Sequence, residues 1–118
     1  NTASMACLFE HLSKITLLRI AQLSKRAGVE CFVVGPTPHR NPELNSEIEH
    51  LVAGFEDVCS RRGIPFVDCF TPLVEHEAWN SEISASAAGR PGQIGHGLIA
   101  WLILNRGWYE WLGLPVPD

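Results

Sequence analysis

The sequence predicts an α/β fold in which short parallel strands are flanked by helices, a partial three-layer α/β/α arrangement. Three observations carry that expectation. Two apolar runs rich in β-branched residues, Glu30 to Gly35 and Ile64 to Asp68, are separated by a long amphipathic helical stretch, and strands joined by such crossovers run parallel. The first run, ECFVVG, shows no polar alternation, as expected of a strand covered on both faces. Only two such runs are present, and two strands do not make a stable sheet. Residues 1–118 are therefore read as one partial domain, the C-terminal half of a larger unit, with at least one open strand edge that recruits something.

Each element has its own signal. From about Leu8 to Ala27 the chain reads as a helix, with Leu8, Leu12, Ile15, Leu18 and Gln22 along one line. Lys25 and Arg26 suit its last turn and Gly28 its stop. After the first strand, Pro36-Thr-Pro-His-Arg-Asn-Pro42 is too proline-rich for regular structure and forms a stiff loop. Asn41 is an expected N-cap, Pro42 the first helical residue, and Glu43 a favourable charge at the positive helix end. Leu44, Ile48, Leu51, Val52, Phe55, Val58 and Cys59 then fall on one helical face, and Gly63 ends it. Ile64 to Asp68 is the second strand, with Pro65 tolerated near its start. Cys69 to Pro72 is a turn, Leu73 to Ile83 a short helix with Trp79 as its core residue. A small-residue loop, Ala85 to Gly92, opens the last apolar helix through Ile94, Leu98, Ile99, Trp101, Leu102 and Ile103. The tail carries Trp108, Tyr109 and Trp111 before a proline-rich end.

Composition excludes several functions. The net charge is −4, and the densest positive cluster is Arg61-Arg62, two arginines at a helix end, so no nucleic-acid surface is expected. No apolar run is long enough to span a bilayer, and no signal peptide is evident. Cys7, Cys31, Cys59 and Cys69 form no CxxC pair. They predict no metal and no cofactor, and they suit reduced thiols in a cytoplasmic protein. The chain begins with Asn1 rather than methionine, which predicts a processed chain, a piece of something longer, or an incomplete reading frame.

The stretch from about Cys31 to Trp101 resembles the SGNH/GDSL family of serine esterases and lipases. The likeness rests on CFVVGPTP, the helix opening with NPELN, the strand GIPFVD, the tryptophan-bearing helix, and a Pro-Gly turn into GHGLIAWLI. It is the order and spacing of these parts that resembles the family, since none alone is specific. The resemblance implies a flavodoxin-like, SGNH-hydrolase-type α/β domain and a small ester substrate for the full-length protein. It also implies acyl transfer to an activated serine. A histidine takes the serine's proton, and an aspartate three residues earlier holds the histidine's tautomer. A glycine amide and an asparagine side chain bind the oxyanion.

Mapped onto this chain, that machinery is incomplete. The serine and glycine belong to segments upstream of these residues. Asn1 is the candidate remnant of the oxyanion asparagine, although Thr2 follows it where the family has aspartate. Aligning Pro91 with the family's proline places Ala87 at the aspartate and Arg90 at the histidine. Alanine has no oxygen to orient a base, and arginine stays protonated, so neither fills its role. His96 suits a packing role after the glycine. Asp68 suits a turn cap at a strand tip. His39, on the loop after the first strand, is a candidate cleft residue. His76, between two glutamates, reads as solvent-facing. No serine has a nucleophile's setting.

The expected function is thus an SGNH/GDSL-type hydrolase of carboxylic esters, present as a C-terminal portion without its nucleophile and inactive alone. The alternative is a non-catalytic module that completes its sheet with a partner, either a homo-oligomer or a missing N-terminal half. In that case Arg90 would hold a carboxylate or phosphate, and His39 is the second binding candidate.

Overall fold

The structure, a computed structural model, describes residues 2–117, with side-chain surroundings from residue 11 onward. The elements are α1 (Thr2–Ala27), β1 (Val33–Val34), α2 (Pro42–Arg62), β2 (Phe66–Val67), α3 (Glu77–Ala85) and α4 (Gln93–Ile103). A π-helical turn (Leu104–Trp108) and a short α5 (Tyr109–Trp111) complete the chain.

This architecture corrects the expected three-layer, flavodoxin-like α/β/α sheet. The described residues are mostly helical, and their one sheet is β1 paired in parallel with β2, two residues on each side. The strands are parallel, as expected, but the ladder is confined at both ends. Val33 N–H donates to the Pro65 carbonyl and Gly35 N–H to the Val67 carbonyl, both at 2.9 Å. Pro36 and Pro65 then deny further donors. Among the described residues no third strand lies beside β1, and Val34 is exposed, so the strand is not covered on both faces. The third helix also begins later than expected. Residues 71–75 form turns, and α3 starts only after His76, whose Nδ1 accepts the Trp79 N–H at 3.3 Å. His76 is therefore a helix cap and not a freely solvated side chain.

The helix ends follow local rules closely. Asn41 caps α2 by accepting the Glu43 N–H at 3.0 Å, and Pro42 sits in the first turn. Gly63 takes φ 67°, and Ile64 N–H returns to the Cys59 carbonyl at 2.9 Å. That closes α2 with a left-handed residue that glycine adopts without strain.

Strand alternation directs the core to opposite sides of the ribbon. Val33 and Phe66 join Leu17, Val58 and Cys59 between α1 and α2. Val67, with Phe32 beside it, joins Cys69, Leu73, Trp79, Ile83 and Leu102 between α3 and α4. Trp79 is fully buried, and its indole N–H has no acceptor among the described residues. An unmet donor of this kind costs about 1–3 kcal/mol, offset by burial of the largest side chain in the core. Gly107 lets the π turn pass over the ribbon, since a Cβ there would run into Val67 Cγ2. The turn itself is an i→i+5 closure, Tyr109 N–H to the Leu104 carbonyl. It brings Trp108 and Trp111 onto Phe32, at centroid distances of 6.2 and 5.0 Å. The aromatic tail thus packs on its own chain.

Candidate functional site

The segments that follow β1 and β2 leave the carboxyl ends of the strands, where sites gather in parallel sheets. The loop from α3 to α4 joins the first of them through Arg40. Its guanidinium donates to the Ser86 carbonyl at 2.9 Å and to the Ala87 carbonyl at 3.5 Å. The same arginine makes Gly89 a glycine twice over. Its φ is 66°, and an added Cβ would lie 3.0 Å from Arg40 Nε. His39, next to Arg40, is fixed from both sides. Its N–H donates to Asn45 Oδ1 and its carbonyl accepts from Asn45 Nδ2, both at 2.7 Å. His39 Nδ1 accepts the Asn41 N–H at 3.0 Å, so the neutral ring carries its proton on Nε2.

The opening of α4 depends on α3. Gly92, its N-cap, has no side chain to offer, and the first amides of any helix lack partners. Glu82 supplies them. Its carboxylate accepts N–H bonds from Gly92 and Gly95 at 2.6 Å each and from Ile94 at 3.0 Å. Burial pushes this carboxyl up. The three amides and the nearby His96 outweigh that, and the net shift is below the usual glutamate value. The loop bearing residues 86–91 is thereby held at one end by Arg40 and at the other by Glu82.

Within that frame the sequence-predicted residues fall as follows. Ala87 and Arg90 are exposed on the held loop. Arg90 N–H donates to Ser86 Oγ at 3.2 Å, and its guanidinium has no partner among the described residues. His39 is half-buried and lines a cleft of about 580 Å³ with Arg40, Asn45, Glu49 and Asn80. Ala87 and Arg90 do not line it. Asn1 lies outside the described residues. Asp68 caps a turn, accepting the Phe70 and Thr71 N–H groups at 2.8 and 3.0 Å. His96 is exposed beside Glu82.

Chemically, the arrangement positions a loop and offers cationic and amide donors, but it assembles no proton relay. Among the described residues no serine hydroxyl bonds to a histidine, and no three His, Cys, Asp or Glu side chains could share a metal ion. The larger cleft, about 730 Å³, lies at the other end of the ribbon among Lys25, Arg61, Arg62 and Trp111. Its cations sit at the C-terminal turns of α1 and α2, where they complement the helix dipoles. Cys59 and Cys69 are buried thiols. Desolvation, with the Asp68 charge in second place, pushes Cys69 up to about 11. No helix of the described residues is long and apolar enough to cross a membrane.

Arg40 and Glu82 are the two residues that sequence reasoning missed. A signal existed for Glu82, because a helix opening at Gly92-Gln93 has no acceptor of its own. None existed for Arg40, which reaches across 46 residues. No family model, curated protein or solved structure matches the chain.

Proposed function

We propose that this chain is a portion of an SGNH/GDSL-type serine hydrolase acting on carboxylic esters, without turnover of its own. The observation that carries this reading is the doubly held loop. Arg40 and Glu82 fix residues 86–92 beside the loop that follows β1, which is how a catalytic acid and base would be positioned. The two positions that the resemblance assigns to that acid and base are Ala87 and Arg90. An arginine cannot take a proton from serine, and an alanine cannot orient a base.

The first test is the coding DNA upstream of the Asn1 codon and across the loop from Ala85 to Pro91. A Gly-Asp-Ser segment upstream supports the reading, and the loop codons then say whether the hydrolase is competent. A start codon immediately upstream overturns it. An activity assay gives a second test. The double substitution Ala87→Asp with Arg90→His should release no nitrophenol from a short-chain nitrophenyl ester above the buffer rate, because the nucleophile is still missing. Turnover by that variant would show that a serine of this chain is the nucleophile.

A further inference from the structure

We propose that Cys31 and Cys59 are a redox pair: a peroxide entering the cleft at the C-terminal turns of α1 and α2 oxidises Cys31, which then closes a disulfide to Cys59. Strand register brings the two together. The ladder pairs Val33 with Phe66, and the same register carried back two residues sets Cys31 opposite Ile64. Neighbouring strands lie about 4.8 Å apart. Cys31 and Ile64 both line the cleft of about 730 Å³. Ile64 in turn donates its N–H to the Cys59 carbonyl at 2.9 Å and packs against the cluster that holds Cys59.

The two thiols also share a face. Alternation sends Cys31 to the same side of the ribbon as Val33, and Val33 packs into the cluster that buries Cys59. Phe32 and Cys69 belong to the opposite cluster, so the ribbon itself separates Cys69 from Cys31. Burial pushes the Cys59 thiol up, and the nearby Cys31 is the second cause, as expected of two sulfurs within electrostatic range.

Access sets the order of events. Cys31 is half-buried in the wall of the cleft, whereas Cys59 is 1% exposed. The cleft sets Lys25, Arg61 and Arg62 against Glu30 and Glu110, a mixture that an uncharged peroxide can enter freely. The Cys31 thiolate attacks one peroxide oxygen and the O–O bond breaks. The departing hydroxide takes up the proton that the thiol released, giving water and a sulfenic acid. The Cys59 sulfur then attacks the Cys31 sulfur, the S–O bond breaks, and the second hydroxide leaves as water with the Cys59 proton. Two thiols lose two electrons, and the peroxide becomes two waters. The second step is intramolecular, which compensates for a buried thiol that is rarely ionised. The bridge ties the approach to β1 to the last turn of α2, beside a ladder of only two residue pairs.

Treatment of the native full chain with hydrogen peroxide, alkylation and tryptic mass mapping test the proposal. Trypsin cuts after Arg40, between the two cysteines, so a bridge appears as a linked pair of peptides that dithiothreitol separates. A disulfide forms only between Cα atoms within about 7 Å, so the linked pair also tests the approach itself. In the native chain Cys31 should link to Cys59 over Cys69 by about tenfold or more. In denaturing urea the two partners should be nearly equal, because the loops differ little in closure entropy. Cys31→Ser changes a half-buried position outside the helices and should leave Cys59 reduced at peroxide doses that bridge the wild type. Three results overturn the proposal: native linkage of Cys31 to Cys69 or between chains in preference to Cys59, Cys31 passing to sulfinic acid while Cys59 stays reduced, or Cys59 oxidised as fast in Cys31→Ser as in the wild type. The ester-hydrolase reading stands or falls separately, on the coding DNA.

Discussion

Two glycines on α4, two residues apart, should respond to alanine with opposite signs. Alanine exceeds glycine in a helix interior by about 1 kcal/mol, so propensity alone favours both substitutions. At Gly97 nothing lies within 4 Å of an added Cβ, and Gly97→Ala should stabilise the fold by about 0.5–1 kcal/mol. At Gly95 the same carbon would lie 2.5 Å from Pro91 Cβ, 2.8 Å from Glu82 Oε1 and 3.0 Å from Trp79 Cζ3. None of the three can yield freely. Pro91 is a ring, Trp79 is fully buried, and Glu82 is holding the first amides of α4. Overpacking of this kind costs about 1–3 kcal/mol, and displacement of the Glu82 cap adds to it. Gly95→Ala should therefore be destabilising by about 1–2 kcal/mol net of propensity, and about 1.5–3 kcal/mol less stable than Gly97→Ala. Urea denaturation read by circular dichroism measures both. The midpoints should move in opposite directions with unchanged slope, as expected when only stability is altered. If Gly95→Ala stabilises as much as Gly97→Ala, then α4 does not approach α3 this closely, and the account of how the 86–92 loop is held fails with it.

Two further outcomes follow from titratable groups. Glu82 lies below its ordinary value of 4.5 in the folded chain, so its contribution is present above that pH and is lost as pH falls through the lowered folded value. Thermal melts in acid should show this loss for the wild type and not for Glu82→Gln; identical acid profiles would mean that the carboxylate does not cap α4. Cys69 is fully buried and pushed up to about 11, so iodoacetamide near pH 8 should modify half-buried Cys31 well before Cys69, which should react only after denaturation. Peptide mass mapping reads the order, and equal native labelling would contradict the core placed around Trp79.

Long helices were legible because their bonds are local. Asn41, Pro42 and Gly63 mark the ends of α2 in the sequence and occupy the cap, first-turn and left-handed positions in the structure, since each satisfies amides or carbonyls only a few residues away. Gly28 stops α1 for the same reason. The chemistry of the loop was equally a matter of residue type. Alanine at 87 and arginine at 90 cannot orient or accept a proton in any fold. What the sequence could not determine is everything held by distant partners. The β-branched run at Glu30 to Gly35 reads the same whether neighbours lie on both its edges or only one. The structure supplies one neighbour and a two-residue ladder. Arg40 bonds across 46 residues, and Glu82 reaches 10 to 13 residues ahead to amides that a glycine cap leaves open. Strand pairing, close helix approach and remote capping are contacts between segments, so they exist only once the chain has folded, and with them the width of the sheet and the position of the loop.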